Sequence, residues 1–221
     1  MENNIKVEKF KKLAKVLKVI TTILFWTSKI SAIVCGVVLA AINLIHASFI
    51  SSIGTSFVST ISEGMKSGNG SITVELGILG FKFRPDIFSS KDMILILNTN
   101  LFNAIAVLAV SYFITLHLRE ILDNVIKDIP FNEQSAEHIS RLGRGVIAAS
   151  FLPLINMITT LIIVKTLNLQ ELISSNDKLV GIQFNFHPIN EGLFFAGLFI
   201  LLLSSIFRYG SFLQEEFDST L

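Results

Sequence analysis

Charge is scarce in this chain. Asp, Glu, Lys and Arg make up 16% of its 221 residues, where a soluble domain carries about a quarter. The scarcity is also balanced: eighteen basic against seventeen acidic residues leave +1, so no bulk basic field argues for direct nucleic-acid binding. A single cysteine, Cys35, excludes an internal disulfide and any Cys-x-x-Cys metal site. His46, His117, His138 and His187 are scattered, none four residues from another His or from the Cys, so no metal site is expected. P-loop, GxGxxG, HExxH and GxSxG patterns are all missing, which removes the starting points for phosphate, dinucleotide, zinc-protease and serine-hydrolase chemistry. No acid/base pair stands out either. The expectation is a protein that is not an enzyme, with no catalytic residues and no cofactor.

What the chain has in abundance is apolar length. It is 51% hydrophobic with 19 Phe, and its mean hydropathy is +0.65. A bilayer core of roughly 30 Å takes about 20 apolar helical residues to cross. Four runs free of charge approach that length: Ile30 to Phe49, Met93 to Leu118, Gly145 to Val164 and Gly192 to Phe207. The last is short, but Glu191 and Arg208 can snorkel outward. A lone mid-membrane Lys costs about 3 kcal/mol, and Trp26 is a typical interface residue, so Lys29 is placed at the membrane boundary. The fold class expected is an all-α membrane protein, a four-helix transmembrane bundle in the lipid bilayer of the cell's inner (cytoplasmic) membrane.

Orientation follows from the basic residues. Segments 1–19, 119–144 and 208–221 together hold eleven Lys and Arg, whereas 50–93 and 165–190 hold six in a longer stretch. The positive-inside rule then puts both termini and the middle loop in the cytoplasm, N-in and C-in. The apolar region near the N-terminus is longer than that of a signal peptide and lacks a clean Ala-x-Ala site, so it reads as an uncleaved anchor. Residues 1–29 form a basic amphipathic segment, with Phe10, Leu13, Leu17 and Ile20 on one face and lysines flanking them. It either lies on the anionic leaflet or serves as a topology anchor.

The organisation expected is a first helical pair over 30–118, a cytoplasmic helical hairpin over 119–144, a second pair over 145–207 and a cytoplasmic tail over 208–221. Each pair encloses an outer loop, about 50–92 and about 165–191. Ile72, Val74, Leu76 and Ile78 alternate in the first, and Val180, Ile182, Phe184 and Phe186 in the second. Period two predicts strands and so a small extracytoplasmic β element. Both loops end Phe-x-Phe-x-Pro, at Pro85 and Pro188, a pattern expected of two related halves packed about an axis along the membrane normal. In the hairpin, Pro130 stops one helix, and Asn132 caps the next, with Glu133 in its first turn. The hairpin is either a docking surface or a plain connection.

Inside the spans, Asn98, Asn100, Asn103 and Asn156 are the polar candidates, alongside Thr159 and Thr160. Interhelical bonds worth about 0.6 kcal/mol each are their ordinary role, whereas a substrate path would show buried acids or histidines in mid-span. Ser28, Ala32, Gly36 and Ala40 form a smooth face on the first span. Gly145 with Ala149 and Gly192 with Ala196 do so on the third and fourth. Pro153 is expected to kink the third helix and free backbone groups. The tail, −2 in charge, either pairs with the basic N-terminal segment or recruits a partner; tails of this size are usually solvated.

The corner Pro130-Phe131-Asn132-Glu133 with Arg141-Leu142-Gly143, and the ending Phe207-Arg208-Tyr209-Gly210 … Leu213-Gln214-Glu215-Glu216 … Asp218, resemble a bacterial family of four-helix membrane proteins catalogued as domain of unknown function 2975. The resemblance runs over nearly the whole chain. In that family the corner reads Pro-Phe, two residues, Glu-Asn, whereas Gln134 stands here where Asn is common. Members are often encoded beside a small helix-turn-helix transcription regulator, which implies a membrane partner that restrains or releases it. On that resemblance the partner-binding residues are Pro130, Phe131, Glu133, Arg141, Arg208, Tyr209, Gln214, Glu215, Glu216 and Asp218. The function expected is a sensor or regulatory partner of such a regulator. A small transporter or channel component is the alternative, and self-association is open in both.

Overall fold

Apolar runs must satisfy their backbone groups internally if lipid surrounds them, and all four runs here contribute to long helices. The computed structural model describes residues 2–44, 72–76, 79–83, 90–127, 132–166, 179–184 and 188–219. Helices are α1 (Glu2–Leu44), α2 (Ser90–Ile126), α3 (Glu133–Ser150), α4 (Leu152–Thr166) and α5 (Glu191–Ser219), and strands are β1 (Ile72–Leu76), β2 (Leu79–Phe83) and β3 (Leu179–Phe184). Four stretches are long and apolar enough to cross a membrane: Lys11–Leu44, Ile94–Ile126, Glu133–Ile163 and Glu191–Phe217. They are consistent with a multipass membrane protein. Each is longer than the matching charge-free run, because charged residues continue the same helices. The N-terminal basic segment is thus not a separate element but the start of α1, and most of the tail is the end of α5.

The chain forms two compact units. One comprises 1–32, 107–150 and 190–221, and the other 33–106 and 151–189. In the first unit α3 and α5 run antiparallel along one register. The Ser204 hydroxyl donates to the Ala136 carbonyl at 2.7 Å, and the Asn190 N–H donates to the Ser150 carbonyl at 2.9 Å. Between these ends two glycines let the backbones meet. A Cβ on Gly197 would lie 2.5 Å from Ile147 Cγ1 and 3.0 Å from the Gly143 carbonyl oxygen; one on Gly143 would lie 2.9 Å from Leu201 Cγ. The expected close approach at Gly192 and Ala196 is therefore displaced to Gly197. Gly192 has no neighbour nearer than Asn190 Oδ1 at 3.5 Å, and Ala196 is exposed. On α1 the smooth face is used at Ser28, whose hydroxyl meets that of Ser111 at 3.2 Å. Among the described atoms nothing lies within 4 Å of a Cβ placed on Gly36.

Burial is inverted relative to a water-soluble bundle. Among the described residues the buried set holds eleven polar side chains, including Thr21, Ser28, Thr115, Asn124 and Ser204, against seven apolar ones, while Leu17, Ile23, Leu202 and Ile206 point outward. Small and hydroxylic residues inside with aliphatics outside is the pattern of helices packed in lipid, where polar bonds and close contact replace the hydrophobic drive. Hydroxyls bonded to their own helix, as Thr115 Oγ1 is to the Ser111 carbonyl at 2.8 Å, cost little to bury there.

Pro153, expected to kink the third helix, splits it instead. Without its N–H it cannot continue the ladder, and α3 ends at Ser150 with a turn at Phe151. The Leu154 amide bonds to the Phe151 carbonyl at 3.0 Å, and the Ser150 carbonyl takes the Asn190 amide instead. Asn190 in turn accepts the Leu193 N–H on Oδ1 at 3.1 Å, capping α5.

In the second unit β1, β2 and β3 form an antiparallel sheet in that order. Phe81-Lys82-Phe83, expected to trail the first strand, ends a strand of its own. β2 pairs with β3 through Leu79 opposite Phe184, Gly80 opposite Gln183 and Phe81 opposite Ile182. That register is unchanged if the two Phe-x-Phe sequences are exchanged, because each Phe-x-Phe start lies opposite the residue two before the other. Pro85 and Phe186 lie outside the described residues.

Candidate functional site

Asn132 caps α3: its Oδ1 accepts the Ser135 N–H at 2.6 Å, and Glu133 occupies the first turn, favourable beside the helix's positive end. Pro130 and Phe131 lie outside the described residues. Arg141 is exposed and bonded to Glu137 one turn earlier. Arg208, Tyr209, Gln214, Glu215 and Glu216 are exposed on α5, and Asp218 belongs to the same helix. Because Ser204 meets Ala136, α5 continues from Arg208 onward past the point where α3 begins. Three further contacts tie this end together. Lys18 of α1 is ion-paired with Asp123 of α2; the Asn124 amide donates to Ser135 Oγ at 3.0 Å; and Arg119 lies over the Phe25 ring at 5.1 Å. The basic helix thus finds an acidic partner on α2.

The intramembrane asparagines are glue in large part. Asn103 Nδ2 donates to Asn156 Oδ1 and to Thr159 Oγ1, both at 3.0 Å, joining α2 to α4. Asn98 Nδ2 reaches Asn43 Oδ1 at 3.3 Å, while Asn98 Oδ1 is buried without a partner among the described atoms. Asn100 is exposed.

One contact escaped the sequence. His117 on α2 and His138 on α3 face each other with Nδ1 atoms 3.1 Å apart, and His117 is buried, with the Phe113 ring edge-on at 4.5 Å. At that distance one ring donates and the other accepts, so the pair carries at most one proton between the two facing nitrogens. Sequence spacing gave no signal for it, since His117 lies nine residues before the end of α2 and His138 five after the start of α3. Among the described residues no three His, Cys, Asp or Glu gather as a metal site.

Comparison with known proteins adds one match. The model of a family described as "Protein of unknown function (DUF2975)" covers residues 85–221. It takes in both the corner and the tail, but begins after the first apolar run, so it is narrower than the near full-length likeness expected. No curated protein matches, and no solved structure does.

Proposed function

The chain belongs to the DUF2975 family of proteins of unknown function, and from that premise we propose that it is a multipass sensor or regulatory partner of a cytoplasmic helix-turn-helix regulator. In this reading both termini and the α2–α3 turn face the cytoplasm of a cell membrane, and the sheet lies on the outer side. The observation that carries it is the convergence in the first unit. Lys18–Asp123, Asn124–Ser135 and Ala136–Ser204 bring the basic stretch of α1 around Lys18, the last turns of α2, the start of α3 and the stretch of α5 before its charged end to one level. That agrees with the basic-residue count, which puts the same three segments on one side. Beyond Ser204 the exposed face of α5 carries Tyr209, Phe212, Leu213 and Phe217 beside Glu215 and Glu216, an amphipathic surface suited to another helix. Purification from detergent-solubilised membranes is expected to recover the regulator, and deleting residues 209–221 to lose it. Recovery and target transcription unchanged by the deletion would overturn the reading.

A transporter or channel component is the second reading, favoured by the buried Asn98 Oδ1, which has no partner among the described residues. It requires Asn98→Leu to alter solute flux at unchanged protein level.

A further inference from the structure

Between α2 and α3, inside the first unit, runs a groove of about 360 Å³ lined by Ala109, Val110, Phe113, Arg144, Gly145 and Ala148. Its lining is apolar except for one cation. Two alanines and a glycine leave it hollow, and Phe113, packed where a Gly145 Cβ would stand, is part of its lining. The volume is at the low end of the ~300–1,000 Å³ of small-molecule sites, enough for one aliphatic chain rather than a whole two-tailed lipid. Arg144 is exposed and forms no ion pair among the described residues. Arg141, one turn away, has Glu137.

Position narrows the occupant. Arg144 is the last charge before the uncharged run Gly145 to Val164, and Ala109, Val110 and Phe113 lie within the uncharged run that ends at Leu118. The groove therefore descends from a charged rim into apolar sequence. The contacts put aromatic markers at the same level. Phe113 abuts Gly145, its neighbour Tyr112 stacks on Phe25 at 4.8 Å, and Trp26 follows with Lys29 5.2 Å above its ring. Trp, Tyr and basic side chains at one depth are the signature of a membrane–water interface. A guanidinium there, with an aliphatic channel running away from it, matches a phosphate joined to an acyl chain.

We propose that this groove is a lipid site: it holds one acyl chain of an anionic phospholipid whose phosphate is bound by Arg144. The proposal rests on the helices crossing a membrane, and not on the regulator. Sedimentation with membranes after an alkaline wash, measured first, separates failure of the membrane reading from failure of the site.

The test is full-length protein in nanodiscs of phosphatidylcholine and phosphatidylglycerol, released for native mass spectrometry so that each retained lipid is identified by mass. The wild type is expected to hold one phosphatidylglycerol with about fivefold preference, the size of one basic side chain's attraction to an anionic surface. Arg144→Gln brings the preference near parity, and Arg144→Lys keeps most of it. Ala148→Phe, which fills the groove, lowers retention of both lipids, and Lys165→Gln, a charge removed elsewhere, changes nothing. Equal retention of the two lipids by the wild type overturns the proposal. So does a preference that survives Arg144→Gln, or retention of a free fatty acid alone.

Discussion

The two units hold their helices together by opposite means. In the first, α3 and α5 meet where side chains are missing, at Gly143 and Gly197, and hydroxyls fill what remains. In the second, α2 and α4 meet through a knot of amides and hydroxyls, Asn103 with Asn156 and Thr159. The difference lies in tolerance. A close seam has no room to yield, since a new atom would strike packed side chain and main chain together; a polar knot that loses a member loses bonds but gains no clash.

That contrast can be broken or sharpened by three substitutions. Gly197→Val is the most damaging, because its Cβ alone would lie 2.9 Å from the Ile147 backbone nitrogen; overpacking of this kind costs about 3 kcal/mol. Unfolding in detergent followed by Trp26 fluorescence should show that loss, and a wild-type midpoint would mean that the seam is loose. Asn103→Leu removes the bonds to both Asn156 and Thr159, and at the usual ~0.6 kcal/mol for each interhelical partner it is expected to cost about 1 kcal/mol. A cost equal to that of Gly197→Val would end the distinction. Gly36→Ala has the smallest effect and the opposite sign. Nothing described lies near it, and Ala is the better helix former by about 1 kcal/mol. Destabilisation instead would indicate that a second copy of the chain closes on that face.

The four membrane-length stretches were legible from charge-free runs and the Asn132 cap from its neighbours, because each depends on a few nearby residues; Pro153 was expected to kink a helix that instead ends at Ser150. Register between helices was not. Gly192 and Ala196 satisfy the four-residue spacing rule and Gly197, with Leu193 and Leu201 four residues to either side, does not, yet it is Gly197 that meets α3. The His117–His138 pair was hidden for the same reason: twenty-one residues and a turn separate the partners. Lys18 and Asp123 lie in segments expected to be helical beyond the charge-free runs, but their pairing across α1 and α2 is again a matter of register.

The Ser150 carbonyl carries a consequence for biogenesis. Its partner is the amide of Asn190, forty residues downstream, so a nascent chain emerging from the ribosome holds an open acceptor until its last segment is synthesised. If lipid surrounds it during that interval, the exposed acceptor costs on the order of several kcal/mol. The third segment therefore gains from lingering beside the insertion machinery until the fourth arrives, and the two enter as a couple rather than in succession.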